Sequence, residues 1–219
     1  MGDTAHRRVI VRYTGRERVT HWVLAIAFVL AALSGLALFH PAFYWMSSLV
    51  GGGTWSRILH PFIGLVMTVS FALLALAVGK HNRMEERDWK WLREMPKATS
   101  HDDPRLPEVG RYNGGQKILF KVLLASMALL LLSGIVIWRS YFSAYFPIGV
   151  IRLAAVVHAL AGFVLVCSII GHAYAALFWV TGSMGAMTRG FVTPGWAWRH
   201  HRAWFRENIR AANPRTRAD

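Results

Sequence analysis

Ten histidines occur in this chain, and four of them stand where imidazole chemistry would be costly to keep without a purpose. His158 and His172 interrupt the stretch 148–180, which is otherwise apolar almost throughout. Fourteen residues separate them. On an α-helix that spacing is about 21 Å of rise and close to four whole turns, so both rings lie within about 40° of one face. In a hydrocarbon core about 30 Å thick they sit at two depths, one toward each side. Ionisable groups inside a membrane are rare and expensive, and are read first as functional. His21 and His60 stand in or at the edge of two other apolar runs. Two facing imidazoles carried by different helices can hold a haem iron from both axial positions.

The elements that position these rings come from the hydropathy pattern. Of the 219 residues, 54% are hydrophobic. The apolar residues gather in blocks near 22–39, 58–79, 118–138 and 148–180, each long enough to cross a bilayer. The expected fold is all-α and integral to the membrane: one domain over 1–219, a four-transmembrane-helix bundle with spans of about 20–40, 56–79, 116–138 and 148–180. The last span is longer than the core and must tilt or protrude. A basic leader precedes the first run, but the run is too long for a signal peptide and no small-residue cleavage site follows it, so it is expected to stay as a helix.

The formal charge is +14, which raises nucleic acid as a partner, and the positions of the charges exclude it. Of the 25 Lys and Arg, five precede the first span, nine lie from Lys80 to Lys117, and seven lie from Arg189 onward. Only Arg57, Arg139 and Arg152 belong to the other side, and Lys121 sits just inside the third span. Four spans put the N-terminus, the middle loop and the C-terminus on one side, and the positive-inside rule makes that side cytoplasmic. The excess charge is topology and contact with lipid headgroups. The polar segment 80–112 reads as a loop with one short surface helix. The basic tail 182–219, with Trp196, Trp198 and Trp204, is expected to lie along the cytoplasmic surface. Cys167, the sole cysteine, excludes an intrachain disulfide and an iron–sulfur cluster of the chain's own, and is expected to be a packing residue.

Topology then sorts the histidines by depth. His6, His81, His101, His200 and His201 lie in basic polar segments and are expected to be solvated. The first span runs outward, so His21 is near the cytoplasmic face; the second runs inward, so His60 is near the outer face. The fourth runs inward, with His158 outside and His172 inside. Two level pairs result, His60 with His158 and His21 with His172. A packed, hydrogen-bonded ring accounts for any one membrane histidine; two level pairs favour haem. Zinc would need three or four ligands at one depth. His40 competes with His60 for the outer pair but sits nearer the interface.

Glycines one turn from the outer rings, Gly64 and Gly162, with Gly171 beside His172 and Gly35 fourteen residues after His21, would give a macrocycle room. Ordinary helix packing also favours such residues. A weak repeat is present as well. Leu33-Ser34-Gly35-Leu36 matches Leu132-Ser133-Gly134-Ile135, and His60-x-x-x-Gly64 matches His158-x-x-x-Gly162. Duplicated hairpins and shared packing composition both account for it.

Several stretches together resemble the cytochrome b (gamma) subunit of respiratory formate dehydrogenase. They are Thr20-His21-Trp22, Arg57-Ile58-Leu59-His60-Pro61-Phe62, Val109-Gly110-Arg111-Tyr112-Asn113-Gly114-Gly115-Gln116-Lys117, Ile137-Trp138-Arg139-Ser140-Tyr141-Phe142, and the helix carrying His158 and His172. The resemblance covers nearly the whole chain. It implies two haems b, with His60 and His158 as ligands of the periplasmic one and His21 and His172 of the cytoplasmic one. It implies a quinone site, for menaquinone or ubiquinone, at Asn113, Gly115 and Gln116 with His172 nearby. Asn113 and Gln116 offer amide donors there, although Asn113 would equally serve as a helix cap.

The implied partners are an iron–sulfur (beta) subunit and, through it, a catalytic formate dehydrogenase (alpha) subunit, in the bacterial inner membrane. Formate oxidation would belong to that other subunit. Electrons would pass inward through the two haems to quinone. Arg57, Arg139 and Arg152 are candidates to pair with haem propionates or the iron–sulfur partner. The rival readings are a cytochrome b serving a hydrogenase or a sulfur-compound reductase, and a haem-free four-helix transporter or scaffold.

Overall fold

The computed structural model describes residues 9–98, 103 and 105–212. His6, His101 and Pro104 lie outside the described residues. In chain order the elements are β1 (Ile10–Val11), α1 (Gly15–Phe39), α2 (Gly53–Val78), α3 (Glu86–Glu94), α4 (Gly114–Ile137), α5 (Ile148–Tyr174), α6 (Met184–Thr188), β2 (Phe191–Val192), α7 (Pro194–His200) and α8 (Arg202–Ala212). Among the described residues four helical segments are long and apolar enough to cross a membrane: Gly15–Phe39, Gly53–His81, Gly114–Ile137 and Ile148–Trp179. They overlap the four apolar blocks of the sequence, the first helix beginning several residues earlier. The last is not one uninterrupted α-helix: α5 ends at Tyr174, and a π-helical turn, Ala175–Trp179, continues it.

Local chemistry sets the helix ends. Thr14 and Glu17 form a reciprocal cap at the start of α1: Glu17 N–H donates to Thr14 Oγ1 (3.2 Å) and Thr14 N–H donates to Glu17 Oε2 (2.7 Å). α1 stops because His40, preceding Pro41, is driven into the extended region (φ −148°, ψ 140°). The return to α2 runs through Gly51 and Gly52 at φ +85° and +93°, which residues with a Cβ adopt only with strain. Pro61 lies inside α2, a residue that membrane helices accommodate.

The chain forms two compact units. Among the described residues, one comprises Val19–Ala77 and Lys121–His172; the other comprises those up to Arg18, those within 78–120, and those from Ala173 to Ala212. The first is the helical bundle proper. Its core is Ala27 and Ala31 of α1, Met67 and Phe71 of α2, Met127 of α4 and Leu165 of α5. α1 buries a stripe of small residues, Ala27, Ala31, Ser34 and Ala37. Lipid is as apolar as these side chains, so close packing of small residues, rather than a hydrophobic drive, holds such helices together. Large apolar residues such as Leu132 and Phe163 are exposed, as a lipid-facing surface requires. Cys167 is exposed with them and is not the packing residue expected.

The second unit is more ordered than the sequence suggests. β1 pairs antiparallel with β2, Ile10 opposite Val192 and Val11 opposite Phe191. Ala186, Val192, Ala197 and Trp204 form a core with Ile10, Tyr13, Trp196 and Phe205 packed on it. The tail therefore does not simply lie along a surface. It folds back on the N-terminal segment because both carry apolar residues that bury only against each other.

His201, expected in water, is buried. Its Nδ1 lies 2.9 Å from the Gly110 carbonyl and its Nε2 3.1 Å from Arg12 Nη2. A carbonyl only accepts and a guanidinium only donates, so His201 is neutral with its proton on Nδ1. Burial, and then the Arg12 charge, hold its pKa well below the usual imidazole range. Arg12 is itself buried, its guanidinium lying over the Trp204 ring at 4.8 Å and the Trp196 ring at 5.1 Å. Its Nη2 also donates to the Arg111 carbonyl (2.8 Å).

Candidate functional site

Inside the bundle the structure brings four histidines together two by two. His60 on α2 and His158 on α5 have ring centres 6.2 Å apart, with ring planes inclined at 70°. His21 on α1 and His172 on α5 have ring centres 6.4 Å apart, inclined at 55°. α5 supplies one ring to each pair, four turns apart along one helix. Two imidazoles sharing one metal ion through bonds of about 2 Å, with about 1 Å more to each ring centre, would stand about 6 Å apart, centre to centre. Both pairs meet that spacing. His40 takes no part: it is exposed, and its Nδ1 accepts the Ala42 N–H (3.1 Å) as the cap of a 3₁₀ segment, Pro41–Val50. Among the described residues no three of His, Cys, Asp and Glu gather around a point that could hold a metal. The pairs stand as pairs.

The His60–His158 pair has support behind it. Ser34 Oγ lies 2.9 Å from His60 Nδ1, and Ser133 Oγ lies 3.0 Å from His158 Nδ1. Beside each serine is a glycine against the ring. A Cβ on Gly35 would stand 3.0 Å from His60 Cε1, and one on Gly134 would stand 3.3 Å from His158 Cε1. The sequence repeat is thus a structural repeat: each hairpin contributes one histidine, one serine beneath it and one glycine that makes room. The repeated Ser-Gly pair is visible in the sequence; its contact with the rings is not.

The surroundings of the second pair differ. His21 Nδ1 is buried without a hydrogen-bond partner, the ring standing edge-on to Trp22 at 5.5 Å. His172 is exposed. A Cβ added at Gly64 or Gly171 would meet nothing within 4 Å, and at Gly162 only Leu130 at 3.9 Å. Gly64 is half-buried with open space beside it, which suits a macrocycle near His60, whereas Gly171 is exposed. The donor set, the ring spacing and this space all fit haem. Arg57, Arg139 and Arg152 are exposed.

Asn113 and Gln116 open α4 as a capping box. Gln116 N–H donates to Asn113 Oδ1 (2.9 Å), and Asn113 N–H donates to Gln116 Oε1 (3.0 Å). This fixes both amides, because only the oxygens can accept. Their NH₂ groups are turned away from the cap as donors. Capping and ligand donation use opposite ends of the same side chain, so the two roles are compatible. Gly115 would carry a Cβ 3.4 Å from the Trp91 ring. Next along α4, Lys117 Nζ lies 2.6 Å from Asp88 Oδ2 on α3, both side chains almost wholly buried. Asp88 Oδ2 also accepts the Glu85 N–H (2.8 Å). This pair pins α3 to the start of α4. A lone Lys in a basic loop gave no signal of it.

Comparison with known proteins points to membrane cytochromes b. The family described as prokaryotic cytochrome b561 matches residues 12–190. A formate dehydrogenase cytochrome b556(fdo) subunit of Escherichia coli K12 is 43% identical over 201 residues, covering 92% of this chain and 94% of that one. A formate dehydrogenase cytochrome b556 subunit of Haemophilus influenzae is 38% identical over 200 residues, covering 91% and 84%. The nitrate-inducible formate dehydrogenase cytochrome b556(Fdn) subunit of Escherichia coli K12 is also 38% identical, covering 91% and 92%.

Proposed function

This chain belongs to the prokaryotic cytochrome b561 family, a family of multi-pass membrane cytochromes b, and on that premise we propose that it is the membrane-anchoring electron-transfer subunit of a formate dehydrogenase complex. The observation that carries the reading is the presence of two imidazole pairs, 6.2 and 6.4 Å between ring centres, on three of the four membrane-length helices. His60 and His158 would hold one haem b, and His21 and His172 a second. When bound, haem b supplies reversible one-electron transfer. What the protein supplies is two pairs of imidazoles, each with one ring from the shared helix α5.

The basic N-terminal segment, middle loop and tail belong to one compact unit. That supports a common side for them, and the positive-inside rule supports the cytoplasmic side of the inner membrane. His60 and His158 then lie toward the periplasm. An iron–sulfur subunit, linked to a catalytic subunit that oxidises formate, would dock there against the exposed Arg57, Arg139 and Arg152. Quinone, menaquinone or ubiquinone, would be reduced toward the cytoplasm. The NH₂ groups of Asn113 and Gln116 would donate to its carbonyl oxygens, and the glycine at 115 would let the ring approach the backbone.

The test is spectroscopic. Purified protein should show a reduced-minus-oxidised b-type band, two extractable haems per chain, and oxidation of the dithionite-reduced band by added quinone. A colourless preparation from haem-replete cells overturns the reading.

A further inference from the structure

The hydroxyl of Ser34 has one hydrogen to give. Its Oγ lies 2.7 Å from the Leu30 carbonyl and 3.2 Å from the Ala31 carbonyl. Carbonyl oxygens only accept, so that hydrogen is committed to the helix backbone. The 2.9 Å contact with His60 Nδ1 must then be supplied by the ring, whose Nδ1–H donates to Oγ. A neutral imidazole carries one N–H, which leaves Nε2 as a bare lone pair.

The second hairpin repeats the arrangement. Ser133 Oγ lies 2.5 Å from the Leu129 carbonyl, so its hydrogen is likewise committed, and His158 Nδ1–H donates to the same oxygen over 3.0 Å. The two serines come from different helices, α1 and α4, and serve histidines on α2 and α5. Among the described residues neither His21 nor His172 has a serine behind it, and His21 Nδ1 is buried with no partner at all.

We propose that Ser34 and Ser133 are positioning residues that hold His60 and His158 in the Nδ1–H tautomer with Nε2 presented to a common iron, and that they make this the lower-potential of the two haem sites. The inference rests on the reading that both pairs hold haem. A hydrogen bond from Nδ1–H raises the basicity of the ring at Nε2. A more basic ligand stabilises ferric over ferrous iron and so lowers the potential, one of the levers a protein has over a haem. Here both histidines of one pair, His60 and His158, are supported in that way, and His21, of the other pair, is not. The difference would favour electron movement from the His60–His158 site to the His21–His172 site. The serines thereby give the bundle a direction that its two similar ring pairs do not have by themselves.

The experiment is redox titration of purified protein carrying Ser34→Ala, Ser133→Ala or both. Each variant is made in the otherwise unchanged chain, in a His172→Ala background and in a His158→Ala background. In the His172→Ala background, where the His60–His158 haem titrates alone, each serine change should raise the midpoint, and the double change should raise it further. In the His158→Ala background the remaining midpoint should not move. Selective loss of the His60–His158 haem in the double variant, with the other retained, also supports the assignment. Unchanged midpoints with both haems present overturn it, as do equal shifts at both sites. A chain that binds no haem before any serine is changed sinks the haem reading instead, so the two failures are told apart.

Discussion

His158 faces His60 across 6.2 Å, and His172, four turns further along the same helix, faces His21 across 6.4 Å. If each pair holds one haem, the four ligands are two units and not four contributions. His60→Ala and His158→Ala should each reduce haem content from two per chain to one. The double His60→Ala/His158→Ala variant should still keep one. Combining His60→Ala with His21→Ala should leave none. Haem extraction from the purified variants reads this pattern. A double variant of a facing pair that loses both haems would contradict the pairing.

The glycines against the rings make a graded prediction. A methyl at Gly35 would stand 3.0 Å from His60 Cε1, and at Gly134 3.3 Å from His158 Cε1. Gly35→Ala should therefore displace its ring more, and lower haem occupancy more, than Gly134→Ala. Gly64 is different in kind, because a Cβ there meets no protein atom within 4 Å. Gly64→Val should leave helix content unchanged by circular dichroism yet reduce occupancy of the nearby site. Equal occupancy in Gly64→Val and the unchanged protein would show that no macrocycle uses that space.

What could be read in the sequence followed from local signals. Block lengths define the spans, because crossing a bilayer depends on the hydropathy of contiguous residues. The ring pairing followed because alternating spans fix the depth of every residue once the first is oriented. The Asn113 cap was legible as a polar residue at a helix start, but the return bond from Gln116 was not. Other features depend on residues distant in sequence. The pairing of Ile10 with Val192 joins the two ends of the chain, and no periodicity in a two-residue strand announces it. His201 looks solvated beside His200 and Arg202, and it is buried only because Arg12 and Gly110 reach it. Ser34 and Ser133 were legible as half of a repeat, but their contacts cross 26 and 25 residues.

Lys117 and Asp88 are an ion pair with almost no access to water. Breaking one partner of such a pair typically costs about 3–5 kcal/mol, because it strands the other charge. Lys117→Met should therefore lower the thermal stability of the purified protein strongly. Asp88→Asn added to it removes the stranded charge while keeping an oxygen for the Glu85 N–H, and should recover much of the loss. Thermal melts of the two variants, compared with the unchanged chain, decide whether the cost is the unpaired carboxylate.

The buried His201 predicts a pH dependence with a definite sign. Its folded pKa is depressed, so it is neutral when folded and takes a proton readily only when unfolded. Its stabilising contribution is complete above about pH 6.5, the ordinary imidazole value, and falls as the pH drops below it, by up to about 1.4 kcal/mol per unit. The groups facing it are Arg12, the Gly110 carbonyl, His200 and the rings of Trp196 and Trp204, and none of these offers a negative charge to offset protonation. Amide exchange in β1, β2 and α7 should accelerate from pH 7 toward pH 5.5, beyond the intrinsic trend. His201→Gln should flatten that response.

Asn113 allows its two roles to be separated by one atom. The cap uses Oδ1, which accepts the Gln116 N–H over 2.9 Å; a quinone would use the Nδ2 hydrogens. Asn113→Asp keeps an oxygen for the cap, where Asp and Asn are about equally good, and removes the donor. Asn113→Ala removes both, at a cost of about 1 kcal/mol of helix stability. If Asn113 donates to quinone, the Asp variant should melt like the unchanged protein but show a raised KM for quinone and slower oxidation of the reduced haem band. If it only caps, the Asp variant should match the unchanged protein in both melting and quinone kinetics, and the Ala variant should differ in melting alone. Stopped-flow oxidation of the dithionite-reduced proteins by added quinone, set beside their thermal melts, distinguishes these outcomes.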